Sequence, residues 1–375
     1  MKLFNVRAEA ESPLHITDMV SRNNFFSATY IPGPTLRGAF LTKLRTRSED
    51  IFNLGLKNIC FSPSYPVCKA GHAPVQSLPS HFAMLRCKIC SRLKKVEKAY
   101  QVDILRNILE GHEISHIPCP CEPLKHGISV MEKASELYCP ACERYVSIND
   151  HIERMMSSSI DRKTRTSTPT GMLFSYEYIL PRTEFMSQIL VTEDDLIKEI
   201  PSEMDITVGR GISRGFGRMK LHFDDGTEEM KKSRERIAEA LEKSVLVLAA
   251  KSPCFHIDIQ DGVGFVSKST IDRGEFAMSL ERSANLLGKK VDSRVVEQSI
   301  QGVDFRGGTC WIKGWSFKGN IPKPSIIAAA PGSLFIMRFK QSLQDVEDAI
   351  ALLEFTGIGP HSLTGVNNVY FPVLR

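Results

Sequence analysis

The chain opens on an alternation of apolar and polar positions. Leu3-Phe4-Asn5-Val6-Arg7-Ala8-Glu9-Ala10 repeats with a period of two and breaks at Ser12-Pro13, which predicts a half-buried strand ending in a turn. The phrase returns much later. Val245-Leu246-Val247-Leu248-Ala249-Ala250 runs into Ser252-Pro253, and Cys254-Phe255-His256-Ile257 then parallels Leu14-His15-Ile16. Each stretch has a glycine-rich turn and a strand far downstream: Gly209 to Lys220 before Leu221-His222-Phe223, and Gly357 to Gly365 before Val369-Tyr370-Phe371. Strand, Ser-Pro turn, variable middle, glycine turn and strand occur twice, so an internal repeat is expected.

Between the two units, Thr227 to Lys243 sets Ile237, Ala238, Ala240 and Leu241 at helical spacing among charged residues. The expected division is therefore 1–226, a helical linker over 227–243, and 244–375. Alternating strands and helices in each half predict an α+β fold, a small sheet with helices on one face. From about 60 to 145 the composition shifts: eight of the ten cysteines fall there, among many Pro, His and Lys. This stretch is expected to be an insertion in the first domain.

Composition narrows the picture only modestly. Over 375 residues, 42% are hydrophobic and 24% charged, ordinary values for a globular chain with real cores. The balance of 48 basic against 43 acidic residues gives +5. That is too mild to demand a polyanion, so the placement of the basic residues decides. The opening residues carry no secretory pattern, and no stretch nears the roughly 20 apolar residues of a membrane span. A cytoplasmic, reducing setting is expected, where clustered cysteines point to metal before disulfides.

Cys87-Lys88-Ile89-Cys90 and Cys139-Pro140-Ala141-Cys142 are two knuckles with 48 residues between them. Four converging thiolates would close a structural zinc site with no open position for catalysis. Cys119 and Cys121 are alternates, and Cys60, Cys68 and His72 are further donors that replace one knuckle or build a second site. Zinc would fold an insertion that has little apolar content of its own. Cys254 and Cys310, in apolar strand-like surroundings, are expected to be core residues.

The richest segment is Val208-Gly209-Arg210-Gly211-Ile212-Ser213-Arg214-Gly215-Phe216-Gly217-Arg218. Gly209, Gly211, Gly215 and Gly217 permit positive φ and close backbone approach. Exposed amides with Arg210, Arg214 and Arg218 can hold phosphates, and Phe216 can stack on a base or brace the loop. No Gly-Lys-Ser/Thr follows, and a strand rather than a helix is expected next, so neither a Walker loop nor a dinucleotide fingerprint is present. The competing reading is a structural loop with solvated arginines. Two further basic segments stand out. Tyr30 to Phe40 is a turn opening a helix that carries Lys43, Arg45 and Arg47. Thr35 is its expected cap, and its first-turn amides are a candidate anion site, set against a plain solvated basic face. Ile160 to Gly171, with Arg162, Lys163 and Arg165, would lie along a nucleic-acid backbone or simply connect two strands.

Taken in order, three segments resemble the RAMP superfamily of CRISPR-associated proteins. They are Ile31-Pro32-Gly33-Pro34-Thr35-Leu36-Arg37-Gly38, Ile160-Asp161-Arg162 with Leu173-Phe174-Ser175-Tyr176-Glu177, and Gly211 to Arg218. The resemblance implies two ferredoxin-like, RRM-like domains in tandem. Gly314-Trp315, Ile321-Pro322-Lys323-Pro324 and Pro331-Gly332-Ser333-Leu334-Phe335 are similar, more narrowly, to the two-domain subunits of type III effectors. Among those the nearest is the III-D subunit that holds the 5′ end of the guide RNA. The resemblance implies a non-catalytic protein that grips the repeat-derived 5′ tag of a crRNA and docks to the large subunit and the backbone RAMP subunits. Its implied RNA contacts are Arg37, Arg162, Arg210, Arg214 and Arg218, with Lys163, Arg165 and the glycine loop beside them. Two departures stand out. The second glycine turn lacks the arginine and the Gly-Phe-Gly, and Ser157 to Ser159 stand where relatives carry a histidine.

A nuclease is the main rival. His15, His256 and His361 sit near the turns, where one could act as a metal-free general acid or base, although a lone histidine beside a strand is more often packed. Asp18 is the acid in the loop after the first strand, the place of the aspartate that supports target-RNA cleavage in backbone subunits. A zinc-dependent RNA-binding scaffold outside CRISPR systems is the third class.

Overall fold

The computed structural model describes residues 1–21, 23–87, 104–110, 131–133, 137–158, 173–242, 244–260, 264–316, 321–340 and 343–372. The opening alternation forms the strand Lys2–Ala10, with Val6, Ala8 and Ala10 turned into the core. Glu184–Val191 and Arg218–Asp225 pair with it, antiparallel on either side. Glu203–Thr207 extends the sheet beyond Arg218–Asp225, while Ile59–Phe61 and Tyr65–Cys68 extend it beyond Glu184–Val191. Helices Gly33–Arg45 and Glu49–Asn58 cover one face, where Leu36, Phe40 and Leu44 join Val6, Phe61, Ile189 and Leu221 in one apolar cluster.

A second antiparallel sheet is built around Val245–Ala250. It lies between Leu334–Phe339 and Val369–Tyr370, with Ile300–Arg306 outside. Val369–Tyr370, Val245–Ala250, Leu334–Phe339 and Ile300–Arg306 lie side by side in the same order as Arg218–Asp225, Lys2–Ala10, Glu184–Val191 and Ile59–Phe61, and the first sheet adds Glu203–Thr207 at its edge. The Thr227–Glu242 segment is a helix, but no free connector: Ile237 and Leu241 belong to the second core with Leu246, Phe276, Phe335 and Ile350.

The repeat extends to individual hydrogen bonds. Gly217 N–H donates to the Pro13 carbonyl, and Asn367 N–H to that of Pro253. Arg218 N–H reaches the Ser12 hydroxyl, as Asn368 N–H reaches that of Ser252. Leu14 exchanges backbone bonds with Ile179, and Cys254 with Ala329. Ser-Pro turn and glycine turn are thus two sides of one joint, which explains why both recur together in the sequence.

The halves are tightly joined. Tyr65 donates its hydroxyl to the Lys251 carbonyl, and the buried Lys251 ammonium donates to Gln188 Oε1 at 2.7 Å. Residues 78–85 form a strap from the first half onto the second sheet. Phe82 N–H donates to the Gly332 carbonyl, Tyr370 donates its hydroxyl to that of Pro79, and Met84 packs with Val247 and Ile336.

One expectation is corrected here. The helix Gly33–Arg45 has Pro32 at its cap and no side-chain cap bond, and Thr35 lies inside the first turn. Its N-terminus is closed by the other half, because Gly33 lies directly against Gly365. Proline before the helix and glycine at its start allow that approach, and they leave no open anion site at the first turn.

Candidate nucleic-acid interface and metal centre

The loop after Thr207 is shaped by four glycines with φ between +78° and +90°, at Gly209, Gly211, Gly215 and Gly217. A β-carbon at Gly209 would collide with the His15 carbonyl, and one at Gly217 with that of Val208. Arg210 N–H donates to the His15 carbonyl at 2.9 Å, and a short 3-10 turn over Ile212–Arg214 carries the tip. Nothing lies within 4 Å of a β-carbon built on Gly215. Arg210, Arg214 and Arg218 are exposed, and none has a carboxylate partner among the described residues.

Beneath the loop lies a four-stranded sheet, in the order Ile152–Ser158, Leu173–Ile179, Asn24–Ser27, Thr17–Ser21. Alternation along Leu173–Ile179 puts Phe174, Tyr176 and Tyr178 on one face. Tyr176 is in parallel register with Phe25, and their rings stack at 4.8 Å and 10°. Arg210 lies over Phe25 and Arg214 over Tyr176, each 5.6 Å from the ring centroid, and Phe216 meets Tyr178 at 5.8 Å. Phe216 therefore braces the loop. Two guanidiniums and a row of rings share one surface.

His15 anchors this arrangement from below. Only 2% exposed, it faces the Glu177 carbonyl through Nδ1 at 2.6 Å and the Thr17 hydroxyl through Nε2 at 3.0 Å. Nδ1 must donate to a carbonyl, so Nε2 accepts from Thr17. Burial lowers the imidazole pKa below 6.5 and the Arg210 charge lowers it further, against the Glu177 hydrogen bond. The ring is a neutral brace. Asp18 is exposed on the edge strand, at a register shift between Thr17 and Met19.

A model of the RAMP superfamily matches residues 7–220, more than half of the chain and all of the segments just described. The chain belongs to the RAMP superfamily.

Among solved structures, this RAMP protein is similar to a chain of a type III-B Cmr-beta complex bound to cognate target RNA and AMPPnP. Identity is 14%, over 88% of this chain and 86% of that one, with a TM-score of 0.42. It is similar to Cas6 of Thermus thermophilus at 8% identity, over 98% of each chain, with a TM-score of 0.38. A RAMP protein binding different RNA substrates aligns at 10% identity over 99% of this chain and 100% of that one, with a TM-score of 0.34. No curated protein matches in sequence. No described helix is long and apolar enough to cross a membrane.

The remaining expected RNA contacts fall in different places. Arg37 is half-buried on the helix Gly33–Arg45 and donates to the Leu56 carbonyl at 2.8 Å, bracing the end of the next helix. Arg162, Lys163 and Arg165 lie outside the described residues, in the connection between Ile152–Ser158 and Leu173–Ile179. In the second half His256 pairs with Glu275 at 3.1 Å, and His361 stacks on Phe255. Phe25 was not among the sequence candidates. The signal that could have found it is the alternation of Phe174, Tyr176 and Tyr178 opposite Asn24-Phe25-Phe26.

The second feature is a cysteine–histidine cluster. The donor atoms of Cys68, His72, Cys139 and Cys142 all lie within 4.8 Å of one another. Cys68 ends the strand Tyr65–Cys68, and His72 follows the positive-φ Gly71. Cys139 and Cys142 sit in the turn between Leu137–Tyr138 and Tyr145–Val146. Cys68 Sγ is 3.7 Å from Cys142 Sγ and 3.6 Å from His72 Nε2, which is 3.4 Å from Cys139 Sγ. A tetrahedral ion with ordinary zinc bond lengths has edges of about 3.8 Å between sulfurs and about 3.6 Å from sulfur to nitrogen. The donors fit. His72 Nδ1 donates to the Ala73 carbonyl at 2.6 Å, which leaves the Nε2 lone pair facing the sulfurs, the usual arrangement behind a metal-bound imidazole. Burial pushes the Cys139 thiol up to about 12. For Cys142, hydrogen bonds from the Arg144 backbone and the neighbouring donors outweigh burial and bring it down to about 7. Among the described residues, Cys68, His72, Cys139 and Cys142 supply four donors. The Cys87 side chain, Cys90, Cys119 and Cys121 lie outside the described residues, and Cys254 is a core residue as expected.

Proposed function

We propose that this RAMP protein is a non-catalytic crRNA-binding subunit of a type III CRISPR effector. In this reading it is of the III-D kind, holds the repeat-derived 5′ tag, and docks to the large subunit and the backbone RAMP subunits. The observation that carries the reading is the contrast between the two glycine turns. The first is open at Gly215 and ringed by Arg210, Arg214 and Arg218. The second has Pro360, Thr364 and Asn368 in the corresponding places, and its Gly365 is occupied by Gly33. Phosphate contact is thus assigned to the first half and protein docking to the second.

The shared strand order supports two ferredoxin-like domains, over 1–226 and 244–375, with the helix between them packed on the second. Arg162, Lys163 and Arg165 would continue the basic track from the end of the Leu173–Ile179 strand. Zinc on Cys68, His72, Cys139 and Cys142 would be structural, since four protein donors leave no open position. Working in the cytoplasm, such a protein would contribute to antiviral defence.

The burial of His15 and its engagement through both nitrogens support the non-catalytic assignment. Incubating the protein with repeat RNA, with and without EDTA, tests it. Intact RNA bound in a salt-dependent complex is expected, and clean cleavage at one position overturns the assignment.

A further inference from the structure

We infer that the aromatic face beneath the glycine loop is a stacking site for an unpaired base of single-stranded RNA, centred on Phe25 and Tyr176. The inference rests on the RNA-binding reading and deepens it: the loop holds phosphates, and the sheet holds a base.

Four observations converge. Phe25 and Tyr176 are stacked in cross-strand register and half-exposed, although aromatic pairs of this kind usually close a core. Phe174 lies 6.4 Å from Phe25 at a 42° tilt, so the row continues toward the start of the Leu173–Ile179 strand. A guanidinium covers each central ring, from Arg210 and Arg214, and each arginine is exposed without a carboxylate partner among the described residues. Val20, in register with Phe25 on the edge strand, is 51% exposed, so that side of the row is open.

The chemistry of these groups favours a nucleotide over a protein segment. Aromatic rings accept any base on their π-face, and arginines beside them can move from ring to phosphate while their planes still stack. A base is polar at its edge and apolar on its face, which suits rings bordered by charged guanidiniums. A purely apolar partner would leave Arg210 and Arg214 desolvated without counter-charges, a costly arrangement. Glu153, on the same face, is engaged by the Tyr178 hydroxyl at 2.8 Å and marks the far end of the row.

The test uses the full chain and a single-stranded RNA of repeat sequence, followed by fluorescence anisotropy over a range of salt. Changing Phe25→Leu and Tyr176→Leu together is expected to weaken binding about ten-fold or more, with the slope of log K against log salt unchanged, because stacking releases no counterions. Phe25→Tyr with Tyr176→Phe should bind like the parent. RNA carrying 5-iodouridine, irradiated on the unmodified protein, should crosslink to Phe25 or Tyr176, which keeps the test valid if the leucine variant folds poorly. Unchanged affinity in a folded leucine variant, or crosslinks only elsewhere, overturns the stacking site while RNA binding itself stands. Loss of a protein partner from that variant with RNA affinity intact overturns it in favour of protein docking. Absence of RNA binding by the unmodified protein overturns both readings.

Discussion

A β-carbon on Gly33 would sit 2.5 Å from the carbonyl oxygen of Gly365, so the start of the first helix and the second glycine turn share one space. The two residues are far apart in sequence, and each lies in a glycine motif that reads locally as a turn. Their contact is one of several that join the two halves, and it consumes a turn that its counterpart leaves free.

Substitution at the two turns should therefore differ. Gly365 and Gly215 both have positive φ, at +90° and +86°, but only Gly365 is crowded. Gly215→Ala is expected to cost about 1 kcal/mol from backbone strain alone, and Gly365→Ala roughly 3 kcal/mol or more from strain plus overlap. Denaturant unfolding of both variants checks this, and equal costs would contradict the docking role.

Replacing Arg210, Arg214 and Arg218 together by Ala should weaken RNA binding and flatten its salt dependence. Three lost phosphate contacts on a single strand reduce the slope by about 2. Arg37→Ala should instead lower thermal stability with the slope unchanged, because Arg37 holds the Leu56 carbonyl. An unchanged slope in the triple variant removes the loop from the interface.

Metal content separates the alternative cysteine pairings. Cys68→Ser, His72→Ala or the double change of Cys139 and Cys142 to Ser should each abolish stoichiometric zinc, measured by elemental analysis. Cys87→Ser should retain it. The strap over 78–85 pairs with the cysteine hairpin through Leu78 and Pro79 and also packs on the second sheet. Chelation is therefore expected to lower the unfolding temperature of the whole chain, by several degrees. Zinc lost from the Cys87 variant alone would overturn the pairing.

Lys251 gives a pH signature. It is fully buried against Gln188, and burial lowers its pKa from 10.5 to about 8. Between those values the unfolded chain keeps a proton that the folded chain has shed, so stability rises with pH across that window. Below it the fold carries the full cost of a buried charge. Relative to Lys251→Met, the parent should gain about 2 kcal/mol between pH 8 and pH 10, measured by denaturant unfolding at each pH. Parallel curves would show that the ammonium is better solvated than its surroundings imply.

The repeat was legible because its signals are local. Alternation in Leu3 to Ala10 and Val245 to Ala250, Ser-Pro breaks and clustered glycines each act within a few residues. Choices made between distant segments were less so. Cys139-Pro140-Ala141-Cys142 announces half of the candidate metal site, but Cys68 and His72, separated by three residues, have no second cysteine to mark them. Asn24-Phe25-Phe26 carries no motif, and becomes a surface only when Leu173–Ile179 lies parallel to it. Arg37 shows the opposite limit. Its motif is clear, but the fold turns its guanidinium toward Leu56.

The central claim is that the open first turn holds the end of a guide RNA within an effector. It is tested most directly by purifying the tagged protein from its native host and sequencing the RNA that remains bound. The account predicts small RNAs sharing one repeat-derived 5′ end, recovered with a large type III subunit, and lost when Arg210, Arg214 and Arg218 are replaced. Protein recovered alone, or with RNAs of random ends, would contradict it.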